Sequence, residues 1–129
     1  MIGKNNPLNV RYNPLNHWKG QIGQTRGFCD FSSEYFGVRA AMYLIFRSYK
    51  RKGVVTYSDI IHRYAPSSEN NTSAYVNYIC DNMSVFPFDI PQHLSEWIDF
   101  FWFMSKYEGN PLWKGTVEKY FFEFLGESK

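Results

Sequence analysis

From Pro91 to Pro111 the chain reads PQHLSEWIDFFWFMSKYEGNP, and its apolar residues return with the period of one helix face. Leu94, Trp97, Ile98, Phe101, Met104, Ser105 and Glu108 fall at the i, i+3, i+4, i+7 spacing. At about 100° per residue, Glu108 lies about 40° from the line of Leu94, so the apolar stripe ends in a carboxylate. Gly109 stops the helix and Pro111 prevents its resumption. A carboxylate at the end of an aromatic face is poorly solvated, which raises its pKa and suits it to donate a proton near neutral pH. The competing reading, the commoner fate of a helix-end glutamate, is a last-turn surface residue kept solvated beside Lys106.

At 129 residues the chain has the length of one domain and can bury a core without staples. Aromatic residues make up 20% of it, which implies either a dense core or a groove lined with flat rings. A net charge of +2 is too weak to argue for nucleic acid by itself, but it is compatible with an anionic polymer. Cys29 and Cys80 lack metal-ligand spacing and read as two free, largely buried thiols. His17, His62 and His93 form no metal motif, so neither a metal nor a cofactor is expected. The opening MIGKNNPLN lacks the apolar core of a signal peptide, and no run reaches the ~18 apolar residues of a membrane span. The expectation is a protein made in the cytoplasm that does not insert into a membrane.

Residues 1–31 read as irregular to β, punctuated by NNP, YNP and GQIG turns. LNVRY and GFCDF are expected to pair as two short strands, with Asn13 to Gln24 as a long loop that holds Trp18. Such a loop Trp either folds back on the core or offers a stacking face to a ligand ring. Ser32 or Ser33 caps the next helix, whose stripe is Val38, Ala41, Met42, Ile45 and Tyr49. It ends in RSYKRKG, read as a solvated, dipole-matched basic turn rather than a polyanion patch. Thr56 caps a short helix that Pro66 ends, and a third helix runs from about Asn71 to Asn82 with Tyr75, Ile79 and either Cys80 or Val76 on its inner face. After VFPFDIP and the aromatic helix, a last helix from about Leu112 to Leu125 buries Val117, Tyr120, Phe121, Phe124 and Leu125. The fold class is α+β, mostly α, with a small N-terminal β-hairpin lobe and four to five helices in one domain.

The chain contains no phosphate-binding loop, dinucleotide fingerprint or GxSxG. It offers placed carboxylates. Glu34 opens a helix directly after GFCDF, Glu69 sits in the turn APSSEN, and Glu108 ends the aromatic helix. Each also has a plain structural use, as a helix N-terminal anion for Glu34 or a cap for Glu69.

An ordered set of motifs goes further. Asn6-Pro-Leu-Asn-Val-Arg11, Trp18-x-Gly20, Gly27-Phe-Cys-Asp-Phe31 and Glu34-Tyr-Phe-Gly-Val-Arg-Ala40 resemble the run NPxNIR, WxG, FxxF, EYGxRA of a small bacteriophage virion structural protein family. Ile60-Ile-His-Arg-Tyr-Ala-Pro66, Glu69-Asn-Asn-Thr72 with Tyr75, and Lys106-Tyr-Glu-Gly109 resemble its later motifs, with Tyr64 in place of a Trp, Tyr107 at a His position and one Asn missing after Glu108. The first of these motifs, and Tyr64 to Tyr75, are also similar to parts of lysozyme-like glucosaminidases, and Glu108-Gly-Asn-Pro111 is similar to the ESGGNP of lytic transglycosylases. A circularly permuted lysozyme-like domain reconciles these resemblances.

What they imply is a peptidoglycan-cleaving glycosidase of phage or prophage type (a muramidase, glucosaminidase or lytic transglycosylase) with Glu108 as general acid. Glu34 is then the first candidate for a second carboxylate and Glu69 the reserve. Trp18, Tyr64, Tyr75, Arg39 and Asn9 are the candidates for holding sugar rings. Glycan strands, together with virion or secretion-system proteins, are the implied partners, and the cell wall is reached from a virion or after release or export. Two other readings compete: a non-catalytic virion structural or glycan-binding module of the same shape, and a nucleic-acid-binding domain using RSYKRK, which the modest net charge disfavours.

Overall fold

The aromatic helix forms as its spacing predicts, over Leu94–Tyr107, and packs against the helices before and after it. The computed structural model describes residues 1–68 and 70–127. In chain order these residues form β1 (Gln21–Thr25), β2 (Phe28–Phe31), α1 (Glu34–Met42) continuing as a π-helical segment (Tyr43–Tyr49), α2 (Tyr57–Tyr64), α3 (Thr72–Met83), α4 (Leu94–Tyr107) and α5 (Lys114–Gly126). The class is α+β and mostly helical, with one two-stranded antiparallel hairpin near the N-terminus.

Trp97, Ile98, Phe101, Met104 and Ser105 of the α4 stripe are buried, while Leu94, in the first turn, stays 46% exposed. Phe100, off the stripe, is buried as well, because Tyr57 of α2 meets its ring edge-on at 5.1 Å. On the other side Phe46 stands edge-on to Trp97 at 5.0 Å and to Phe121 at 5.3 Å, so α1, α4 and α5 close around one aromatic cluster. Most of the aromatic excess is therefore core. The α1 stripe (Val38, Ala41, Met42, Ile45, Tyr49) is buried as its periodicity predicts, and in α3 Tyr75 and Ile79 are buried together with both Val76 and Cys80, which the sequence offered as alternatives. In α5, Val117, Phe121 and Phe124 are buried, with Tyr120 and Leu125 half-buried at the edge. Ser33, Thr56 and Asn71 cap α1, α2 and α3 by accepting backbone N–H bonds from Phe36, Asp59 and Ala74. Cys29 and Cys80 are free and buried.

The hairpin differs from the expected pairing. β2 pairs with Gln21–Thr25 across a two-residue turn at Arg26 and Gly27, whose φ values of 51° and 84° give the turn the twist that antiparallel strands need. An Arg in the first of these positions hides the turn from a reader looking for Asn-Gly. LNVRY does lie along β2, but as an irregular flank. Arg11 bridges Phe28, and Cys29 donates its N–H to the Val10 carbonyl at 3.0 Å.

That flank is locked by the side chain of Asn6, which is fully buried. Its Nδ2 donates to the carbonyls of Val10 and Cys29, both at 2.9 Å, and its Oδ1 accepts the Val10 N–H at 2.8 Å. Asn5, just before it, runs so close over α1 that a Cβ on Gly37 would stand 1.9 Å from the Asn5 carbonyl oxygen. Asn6→Ala leaves the buried Val10 N–H and Cys29 carbonyl without that partner, while the Val10 carbonyl keeps the Cys29 N–H, and is expected to cost about 2–4 kcal/mol, read as a lower midpoint at unchanged slope in urea unfolding.

Candidate functional site

Glu108 is the residue at which α4 ends. Gly109 follows with φ 85°, its N–H bonding the Lys106 carbonyl at 3.1 Å while Asn110 N–H bonds the Ser105 carbonyl at 3.0 Å. This pair of reversed bonds is a Schellman ending, and it holds Glu108 at a defined point rather than on a frayed turn. The side chain of Asn110 then reaches the Pro7 carbonyl at 3.1 Å, tying the end of α4 to the N-terminal flank.

Asn6 shapes that flank so that Asn9, in the left-handed region at φ 53°, faces the end of α4. Asn9 Nδ2 donates to Glu108 Oε1 at 2.9 Å, and the Tyr75 hydroxyl donates to Oε2 at 2.8 Å. The Asn9 Oδ1 is buried and has no hydrogen-bond partner among the described residues. Tyr75 is itself buried, with its ring stacked on Tyr107 at 4.0 Å. The Tyr64 hydroxyl donates to the Leu8 carbonyl at 2.6 Å, so the last residue of α2 closes the same corner.

Burial raises the pKa of Glu108 above its ordinary 4.5, and this outweighs the bonds from Asn9 and Tyr75 and the nearby charge of Arg11, which pull it down. The negative end of the α4 dipole disfavours the anion further. Burial first, and Glu108 second, push the hydroxyls of Tyr64 and Tyr75 well above the usual tyrosine range, so both remain protonated donors. The solvated reading of Glu108 beside Lys106 therefore does not hold. Lys106 instead lies 4.1 Å over the Trp102 ring.

In front of Glu108 is a cleft of about 100 Å³ lined by Asn9, Arg11, Phe28, Tyr64, Ala65 and Asn70. Asn9, Arg11 and Tyr64 also line a groove of about 440 Å³ that continues to Trp18, Ser48, Lys52 and Arg63. Trp18 and Ser48 in turn border a depression of about 350 Å³ that includes Arg39.

Of the residues singled out by sequence, Glu108, Asn9, Tyr64 and Tyr75 come together, and Trp18 lies along the same groove. Trp18 folds back on the core, edge-on to Tyr43 at 5.9 Å, and also lines the groove. Arg39 stands at the far end, its Nε bonded to the Glu127 carboxylate at 3.1 Å. Glu34 accepts the Tyr120 hydroxyl at 2.9 Å on the α1–α5 side and lines neither the cleft nor the groove. Glu69 lies outside the described residues. Arg11, Phe28 and Asn70 were not singled out. Arg11 and Asn70 sit inside quoted motifs, and their adjacency to Asn9 and Asn71 was the available signal. Among the described residues no group of His, Cys, Asp and Glu has the makings of a metal site, and no helix is long and apolar enough to cross a membrane.

No family model matches the sequence. The chain is similar to Protein P5 of Pseudoalteromonas phage PM2, at 30% identity over 89 residues that cover 65% of this chain and 55% of P5. The chain thus spans about half the length of that relative.

Because the folded state binds the Glu108 proton more tightly than the unfolded chain, stability falls as pH rises from the ordinary 4.5 through the raised folded value, and levels off above it. Glu108→Gln, which cannot ionise, is expected to have a higher Tm than wild type at pH 8, with the difference shrinking below pH ~4.5. Thermal unfolding of both proteins across this range checks it.

Proposed function

We propose that this protein is a peptidoglycan-cleaving glycosidase of phage type, a lysozyme-like domain with Glu108 as its general acid. The observation that carries this reading is a half-buried carboxylate, held by Asn9 and Tyr75 in a cleft, whose pKa burial has raised. The resemblance of Glu108-Gly-Asn-Pro111 to lytic transglycosylases and the similarity to a phage protein agree with it. That similarity also agrees with action from a virion. A small hairpin beside the acid is the arrangement expected of a permuted lysozyme-like domain.

In this reading the protonated Glu108 gives its proton to the glycosidic oxygen as the C1–O bond breaks through an oxocarbenium-like state. Glu108 is the carboxylate among the described residues lining the cleft, and Glu34 points elsewhere. This favours the single-carboxylate route. The Glu108 anion takes the proton of the sugar's own C6 hydroxyl while that oxygen bonds to C1, closing an anhydro ring. The buried Asn9 Oδ1 is placed to accept a hydroxyl or amide N–H of the sugar, and Tyr64 and Trp18 offer ring faces.

Purified peptidoglycan is expected to lose turbidity with wild type and not with folded Glu108→Gln, while Glu34→Gln retains activity. Glu69→Gln tests whether the residue beside Asn70 contributes. Fragments lighter than hydrolysis products by one water identify the anhydro route. Tyr75→Phe removes a bond that stabilises the Glu108 anion, so the alkaline limb of kcat/KM against pH is expected to move upward. One observation favours a second reading, a non-catalytic glycan-binding or virion structural module. The cleft in front of Glu108, at about 100 Å³, is well below the ~300 Å³ at which small-molecule sites begin. Wild type inactive on several peptidoglycan types would select that module.

A further inference from the structure

Of the cations along the groove, Lys52 and Arg63 have no part in the proton transfer proposed for Glu108. Lys52 follows the π-helical segment and Arg63 lies near the end of α2, and together with Arg11 they give the ~440 Å³ groove three positive side chains. No carboxylate is among its described lining residues. The groove shares Asn9, Arg11 and Tyr64 with the Glu108 cleft, so a polymer seated at Glu108 runs on into it. Arg63 lies 5.9 Å over the Tyr49 ring, which orients its guanidinium. On the groove's other side Trp18 supplies an aromatic wall, with an indole Nε1 that is buried and has no partner among the described residues.

We propose that this groove binds the carboxylates carried by an acidic glycan strand, with Lys52 and Arg63 as the anion-recognising residues and Trp18 as the wall for a sugar ring. The proposal rests on the glycosidase reading for the direction of the strand, and deepens it by naming which part of the polymer is recognised. A strand whose sugars bear carboxylates, directly or on attached peptides, meets positive charge beside the cleft and is not repelled by the groove's own walls. A neutral glycan gains only the ring contacts. Nucleic acid, the other polyanion, would need a row of rings for successive bases, and the groove offers Trp18 with the buried Tyr49 and the half-buried Tyr64.

The test uses soluble glycan chains that carry their peptides, native and with all carboxyls converted to amides. Binding is measured with Glu108→Gln, which does not turn the strand over, and with the same variant also carrying Lys52→Gln and Arg63→Gln. Both cations are exposed, so their replacement leaves the fold in place. Expected are at least ten-fold weaker binding of the amidated glycan, loss of that preference in the triple variant, and a preference that fades as salt rises. Equal binding of native and amidated glycan overturns the proposal. So does a preference that survives in the triple variant, or tighter binding to single-stranded DNA than to native glycan. A wild type that cleaves nothing while the amide-sensitive binding remains overturns the glycosidase reading and supports the groove.

Discussion

The three hydrogen bonds of the Asn6 side chain are what the corner around Glu108 depends on. They join residues 6, 10 and 29, folding NPLNVR into a fixed loop along the hairpin. The loop then supplies the Leu8 carbonyl to Tyr64, the Pro7 carbonyl to Asn110 and the Asn9 amide to Glu108. An apolar residue at position 6 would bury as well, but it would leave the Val10 N–H and the Cys29 carbonyl without this partner in a place water cannot reach. The loop would open, and the end of α4 would lose two partners and the end of α2 one together.

Around Glu108 two tendencies oppose each other. Burial and the helix terminus favour the neutral acid, whereas two hydrogen bonds and the charge of Arg11 favour the anion. A group placed this way has its neutral and charged forms brought closer together in free energy, the balance that the proposed glycosidase reading asks of it. Tyr75 links this balance to the core. Its hydroxyl bonds the carboxylate and its ring stacks on Tyr107, the last residue of α4.

The same economy of position is visible in the helix that follows the hairpin. Ser33 starts it, and its α-helical part carries Val38, Ala41 and Met42 of the buried stripe, which Ile45 and Tyr49 continue in the π-helical part. Its π-helical part turns Leu44, Ser48 and Tyr49 to the groove wall, with Lys52 just beyond. The wider winding of a π segment changes which side chains face a given direction, so residues that share a core stripe and residues that line a groove sit on one continuous helix.

What the sequence determined by itself was local and periodic. Val38 to Tyr49, Tyr75 to Cys80, Leu94 to Glu108 and Val117 to Leu125 are legible as helices because burial of one face imposes a spacing, and Ser32 or Ser33 and Thr56 are legible as caps because such side chains act within three residues, whereas the cap of α3 is Asn71, legible only as the start of the helix. Glu108 was legible for the same reason, as a carboxylate at the end of an apolar stripe followed by Gly109. The tertiary structure decided what depends on distant pairs. The partner of β2 is Gln21–Thr25 rather than LNVRY, since a two-residue turn at Arg26-Gly27 brings that segment closest and the sequence shows no Asn-Gly to announce it. Glu34, equally well placed on paper, is held by Tyr120 of α5, 86 residues away. Asn9 meets Glu108 across 99 residues. No periodicity encodes such contacts, because they arise only when separate elements pack and each buried polar group must find the partner that packing brings within reach.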